Sequence, residues 1–240
     1  MRADKFMSSL GYGSRKDVKK LLKKGVFTVN GEVVKDPKTH VHEYEDEFTV
    51  FGERAEYRKY IYLMMNKPAG VISATEDPEE ETVIDLLEDE DMIFEPFPVG
   101  RLDKDTTGLL LLTNDGKWAH RLTSPKHHMD KVYRVHLQLP ATAEDASVCR
   151  EGVTLDDGYV TKPAELDLLG EMENEVVRLT IREGKFHQVK RMFEALGNRV
   201  ERLKREEVGS LPLDPELEPG AYRELSEEEI SQLSKNHDET

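Results

Sequence analysis

Residues 100–116 read GRLDKDTTGLLLLTNDG, a polar loop rich in charge and hydroxyls that runs straight into an intensely apolar segment. The apolar stretch 109–113, four leucines and a threonine, predicts a buried strand, closed by Asn114-Asp115-Gly116. A loop that feeds such a strand is held rigidly, which suits a group that does chemistry. Asp103 and Asp105 lie in this loop, with Arg101 and Lys104 beside them. A lone aspartate in a loop most often caps a turn, so the rest of the chain must decide what these do.

Outward from this stretch, residues 60–65 read as a second buried strand, followed by Asn66-Lys67-Pro68-Ala69-Gly70 as a turn. Residues 82–87 suggest a short helix, and 131–139 and 176–181 are further strands. Residues 186–196 carry Val189, Met192, Phe193 and Leu196 at helical spacing and stop at Gly197. Strands outnumber helices without regular strand–helix alternation, which predicts an α+β fold with a mainly antiparallel mixed sheet. Residues after about Asn236 are expected to fray.

The N-terminal part has a different character. Ser14 and Asp17 form a capping-box pattern ahead of a helix that puts Val18, Leu21 and Leu22 on one face and ends at Gly25. Arg15, Lys16, Lys19, Lys20, Lys23 and Lys24 occupy its remaining surface. Two short strands, 26–29 and 32–34, flank Asn30-Gly31, a strong two-residue hairpin signal. Residues 43–59 are charged and read as a strand followed by a linker. The expected organisation is a small module with its linker over 1–59, made of helices and a short hairpin, then a larger domain over 60–236.

Charge is segregated. The formal net charge of −15 argues at first against a polyanionic partner. Yet residues 1–40 hold ten Lys/Arg against four Asp/Glu, and residues 182–205 hold eight against three. The acid is concentrated in 76–95 and 206–240, each with eleven Asp/Glu. Such a chain can present basic faces to an anion while the rest keeps it dissolved. With 37% hydrophobic residues there is material for a core, and the single Cys149 excludes an internal disulfide or a cysteine-built zinc site. No apolar run approaches the roughly 18 residues needed to span a membrane, and the start shows no signal-peptide core. A soluble, cytoplasmic protein is expected.

These motifs together resemble a known family. GRLD followed by TTGLLLLTNDG is similar to the catalytic motif of pseudouridine synthases, in the RsuA-type branch that acts on small-subunit ribosomal RNA. The resemblance extends through NKPAG (66–70), LTSPKHHMDKVYRV (122–135) and EGKFHQVKRMFEALGN (183–198). The basic helix with its VNG hairpin resembles the RNA-binding module first named for ribosomal protein S-four, over about residues 1–48.

The resemblance implies an isomerase that turns a specific uridine of 16S rRNA into pseudouridine after flipping it out of its stack. The alternative is the same chemistry on a 23S uridine. Asp103 matches the family's catalytic aspartate. Two routes fit a carboxylate there: attack on the sugar, or removal of its 2′ proton. Tyr133, in KVYRV, matches the tyrosine that stacks on the flipped base and helps remove the proton from carbon 5; a strand tyrosine can equally place its ring in the core. Lys190 matches the basic position that pairs with the aspartate, where many relatives carry arginine; lysine keeps the charge and loses the bidentate fork. Arg101, Gln188 and Arg191 are expected to contact phosphate or base, and Arg15, Lys16, Lys19, Lys20 and Lys23 to bind RNA. Lys185 is either such a contact or a surface lysine. The partner is then ribosomal RNA, free or in a small-subunit assembly intermediate, met by a monomer with no cofactor, because the isomerisation is redox-neutral.

Rival chemistries fit less well. His127 and His128 are adjacent and point apart on a regular element, and His120, His136 and His187 lack metal-ligand spacing, so no metal site is expected. A glycoside hydrolase needs a fixed pair of carboxylates, and Asp103 and Asp105 stand too close together on one extended loop. A non-catalytic RNA-binding assembly protein would leave the intact RLD, VYRV and HQVKR blocks without a purpose.

Overall fold

The computed structural model describes residues 1–124, 129–171 and 174–235. The chain forms two compact units: Met1–Ile61 with Glu88–Glu95, and Tyr62–Leu87 with the described part of Pro96–Thr240. Among the described residues no helix is long and apolar enough to cross a membrane.

The first unit contains α1 (Ala3–Ser9), α2 (Arg15–Lys23), β1 (Phe27–Val29), β2 (Glu32–Val33), β3 (Phe48–Val50) and β4 (Glu53–Ala55), with the strands in the order β2-β1-β3-β4. Ser14 caps α2 as its sequence predicts: its hydroxyl accepts from the Asp17 amide at 3.3 Å and donates to the Asp17 carboxylate at 2.5 Å. Val18 and Leu22 then enter a core shared with Phe6, Phe27 and Phe48. Asn30 and Gly31 both have positive φ, 51° and 82°, the backbone a two-residue hairpin needs between strands of right-handed twist. Two features go beyond the sequence reading. Helix α1 has no side-chain N-cap and owes its place to Ala3, Phe6 and Met7, which share one face and are fully buried. The expected strand and linker over 43–59 contain the β3–β4 hairpin, which turns at Phe51-Gly52.

The second unit is built on one sheet. Its strands are β5 (Tyr62–Lys67), β6 (Phe97–Pro98), β7 (Thr107–Thr113), β8 (Lys131–Leu137), β9 (Glu165–Glu171), β10 (Val176–Ile181), β11 (Val200–Val208), β12 (Leu211–Pro212) and β13 (Tyr222–Glu224). The main path runs β13-β5-β7-β11-β8-β10-β9, with β6 on β7 and β12 on β11. The β7–β11 pair is parallel and the other pairs are antiparallel, so the chain is α+β with a mainly antiparallel sheet, as its pattern predicts. The short α3 (Asp89–Met92) belongs to the first unit; α4 (Gly116–Thr123), α5 (Ala143–Glu151), α6 (Gln188–Ala195) and α7 (Glu227–Lys235) belong to the second. Asp115 starts α4 by accepting from the Lys117 and Trp118 amides, which lets Trp118, Ala119 and Leu122 pack on Leu109 and Leu111 of β7.

One cross-strand row organises the sheet. Lys67 on β5 faces Gly108 on β7, Gly108 faces Arg205 on β11, Arg205 faces Tyr133 on β8, and Tyr133 faces Leu179 on β10. Position 108 must be glycine: its φ is +100°, and a Cβ there would lie 2.2 Å from the Arg205 carbonyl oxygen.

Three expectations are corrected. Asn66 and Lys67 belong to β5 rather than to the turn that follows, because their backbones pair with Leu109 and Gly108. Residues 82–87 form turns, not a helix: Thr82 bridges to Ile72, and the Asp85 carboxylate accepts from both the Thr82 amide and its hydroxyl. The strand over 131–139 stops at Leu137. The expected fraying after Asn236 lies outside the described residues.

Candidate active site

The loop between β6 and β7 carries Asp103 and is tied down from beneath by a lysine. Lys67 is fully buried, and its ammonium donates to the carbonyls of Pro68 at 2.9 Å, Thr106 at 3.0 Å and Lys104 at 3.3 Å. Burial pushes this ammonium down to about 8, while the charges of Asp105 and Asp103 pull the other way. The Thr106 amide closes a turn on the Asp103 carbonyl at 3.0 Å, and the Gly70 amide reaches the Lys104 carbonyl at 2.8 Å. On the other side of Asp103, Ser73 and Leu102 exchange two hydrogen bonds, Oγ to carbonyl at 3.0 Å and amide to Oγ at 3.1 Å. The backbone of the aspartate is thus fixed on both sides.

Above this loop lies a cavity of about 810 Å³ whose walls include Asp103, Tyr133, Lys190, Arg101 and Arg205. Its residues all belong to the second unit. The structure brings Lys190 to Asp103 across 87 positions of sequence: Nζ lies 3.3 Å from Asp103 Oδ2 and 2.6 Å from Asp105 Oδ1. Asp105 is therefore the nearer partner. Burial opposes the charge on each of these two groups, yet their mutual hydrogen bond and attraction prevail, so the Asp105 carboxyl lies below its usual range and the Lys190 ammonium above. His187 Nε2 lies 3.7 Å from Asp103 Oδ1.

Tyr133 is 7% exposed, lines the cavity, and its hydroxyl has no hydrogen-bond partner among the described residues. Tyr133 is thus a buried core residue that also borders the cavity, and its hydroxyl is untethered. Arg101 is exposed at the same cavity and has no ion-pair partner among the described residues. Two other expected contacts are engaged elsewhere. Gln188 is 4% exposed; its amide nitrogen donates to Glu183 Oε1 at 2.8 Å and its oxygen accepts from the Lys185 amide at 2.9 Å, so it braces the 183–187 loop. Arg191 is held by Asp156 and Asp157. Lys185 lies over the Tyr159 ring at 4.6 Å. In the first unit Arg15, Lys16, Lys19, Lys20 and Lys23 are all exposed on α2, and Lys20 pairs with Asp17 at 3.3 Å.

Three site residues escape the sequence reading. Lys67 is one; its signal is a lysine at the end of a strand that is apolar up to Met65. The second is Lys131, which starts β8 two residues before Tyr133 and lines the cavity. Burial, aided by the charge of Arg205, pushes its ammonium down to about 8, against the pull of Asp130 and Glu183. The third is Arg205, 4% exposed, whose Nε donates to the Leu109 carbonyl at 2.8 Å. Of the histidines, His127 and His128 lie outside the described residues, and among the described residues no cluster of His, Cys, Asp and Glu is arranged to hold a metal.

The family model of RNA pseudouridylate synthase matches residues 61–195, and that of the S4 domain matches residues 1–46. The chain is 54% identical over 236 residues to a Bacillus subtilis (strain 168) protein named "Uncharacterized RNA pseudouridine synthase YtzG", covering 98% of this chain and 99% of that one. It is 47% identical over 236 residues to the ribosomal small subunit pseudouridine synthase A of Vibrio vulnificus (strain CMCP6), covering 98% and 100%. A crystal structure of a pseudouridylate synthase superposes with a TM-score of 0.68 at 39% identity, covering 97% of this chain and 99% of that one. The chain belongs to the RNA pseudouridine synthase family, in its RsuA-type branch, and is an isomerase that acts on RNA, with an S4 RNA-binding domain at its N-terminus.

Two predictions follow from the buried lysines. Lys67→Met removes a donor from three loop carbonyls, of which that of Lys104 keeps the Gly70 amide, at a cost of about 1–3 kcal/mol for each carbonyl left buried and unpaired, partly offset by removal of a buried charge. We expect the urea midpoint of the variant to fall and kcat to drop more than KM changes; an unchanged midpoint contradicts the pinning role. For Lys131, the folded value of about 8 lies below the ordinary 10.5, so between these the unfolded chain binds more protons than the folded one. The stability of the parent relative to Lys131→Met should therefore rise with pH across that window. Urea titrations at several pH values measure it, and a difference that stays flat or falls contradicts the assignment.

Proposed function

We propose that the protein converts a uridine of 16S ribosomal RNA into pseudouridine, with Asp103 as the catalytic carboxylate acting on a nucleotide flipped into the cavity. One observation carries this reading: Asp103 and Tyr133 line one cavity, with Lys190 bound to the aspartate at 3.3 Å. A 16S target is favoured by similarity to ribosomal small subunit pseudouridine synthases such as that of Vibrio vulnificus, aligned over 98% of this chain. The same reading makes residues 1–59 an RNA-binding module with its linker and 60–236 the catalytic domain, in a cytoplasmic protein.

The chemistry is an exchange of bonds within one nucleotide. The bond from C1′ to N1 of uracil breaks, the ring turns in place, and a bond from C1′ to C5 forms. C5 then loses its proton and N1, which carried none while bonded to the sugar, gains one, so the product is an isomer of the substrate. As positive charge grows at C1′, the fixed Asp103 carboxylate meets it, by attack on the sugar or by taking the 2′ proton. Lys190 holds that carboxylate in position. Tyr133 lines the cavity, where its ring can give the unstacked base a face, a contact of about 1–3 kcal/mol, and its hydroxyl can take part in removing the C5 proton.

On the RNA side, the exposed cations of α2 supply a term independent of sequence and sensitive to salt. The test of the reaction is Asp103→Asn, which keeps shape and removes the charge. Tritium release from RNA labelled at C5 of uridine should fall below detection, while RNA affinity stays within about twofold of the parent. Activity within about tenfold of the parent contradicts the assignment of Asp103.

A further inference from the structure

We propose that Phe186 forms a stacking platform for the base of a nucleotide next to the target uridine. This rests on the reading of the cavity as the uridine site. A single exposed apolar side chain is common and needs no explanation of its own, so the argument lies in how this one is held. Phe186 is 76% exposed and lines the cavity. Its ring stacks on His187 with centroids 3.8 Å apart and planes 17° apart, and His187 in turn lies 3.7 Å from Asp103. The order is therefore aspartate, imidazole, phenyl ring, solvent, with one aromatic face covered and the other open.

The platform is also fixed in place. His187 sits at the N-cap of α6 with φ at +50°, and Gln188 ties the loop to Glu183 and to the Lys185 amide. A preset ring loses little freedom when a base lands on it. Charge suits the same ligand, since Arg101 is exposed at this cavity and Lys185 precedes the ring in sequence. A nucleotide flipped out of a strand leaves its neighbours without a stacking partner, and an open aromatic face beside cations is the surface that single-stranded RNA uses.

The test is a coupling measurement with the full chain. The pentaribonucleotide AAUAA has one uridine, so it fixes the register; its analogues carry an abasic residue on the 5′ or the 3′ side of that uridine. Phe186→Ala should weaken binding of AAUAA by about 5- to 150-fold, the range for one stacked base. It should weaken binding by less than about twofold for one of the two abasic analogues. Phe186→Tyr should bind like the parent and Phe186→Leu like the alanine variant, because the aromatic face and not bulk is required. Equal losses on AAUAA and both analogues, or no loss on any, overturn the proposal. Tritium release by the parent chain from unmodified 16S and 23S transcripts is measured in parallel. Release without Phe186 coupling removes the platform alone; absence of release removes the uridine assignment and the platform with it.

Discussion

The ammonium of Lys67 is the constraint on which the site depends. It is a charge with no exposure, bound by three backbone carbonyls from two segments, Pro68 after β5 and Lys104 and Thr106 before β7. Burying a cation is costly unless its protons find acceptors, and here the acceptors are the loop itself. The loop cannot move away without exposing the carbonyls or stranding the ammonium. A flexible stretch of charge and hydroxyls thereby becomes a rigid support for Asp103. Gly108 extends the same logic across the sheet. By lacking a side chain it lets β11 close on β7, which sets Arg205 between Gly108 and Tyr133 in the cross-strand row.

Lys190 adds a second constraint with a different consequence. It lies closer to Asp105 than to Asp103, 2.6 Å against 3.3 Å. A single point-like ammonium between two carboxylates serves both without the fixed fork of an arginine. Asp105 thus holds the lysine in place while Asp103 retains its exposure to the cavity. Two carboxylates on one short loop do not repel each other apart because the cation lies between them.

Much of this was legible where local chemistry dominates. The aliphatic run after GRLD could only be a buried strand, Ser14 with Asp17 announced α2, and Asn30-Gly31 announced the first hairpin. Legibility failed where tertiary context decides. Strand β11, VERLKREEV, is mostly polar and takes its form from the two strands that flank it. Helix α1 is seven residues long and stands only because its apolar face is buried. At 82–87 an apolar pattern suggested a helix, but the Asp85 carboxylate competes for the backbone and closes a turn. In the site, nothing local links Asp103 to Lys190; only the family resemblance joined them. Gln188 is expected to contact RNA from its place in HQVKR; it lines the cavity, and its bonds to Glu183 and Lys185, which that motif does not announce, add a bracing role.

The central claim is that the carboxylate held by this loop isomerises one uridine of 16S rRNA. Its most direct measurement is a map of pseudouridine in 16S and 23S rRNA from cells with the gene, without it, and without it but supplied with the parent chain or with Asp103→Asn. The account predicts one 16S position that is pseudouridine with the parent chain and uridine in the other two cases. An unchanged map on loss of the gene, a lost position in 23S rRNA instead, or restoration by the asparagine variant would contradict it.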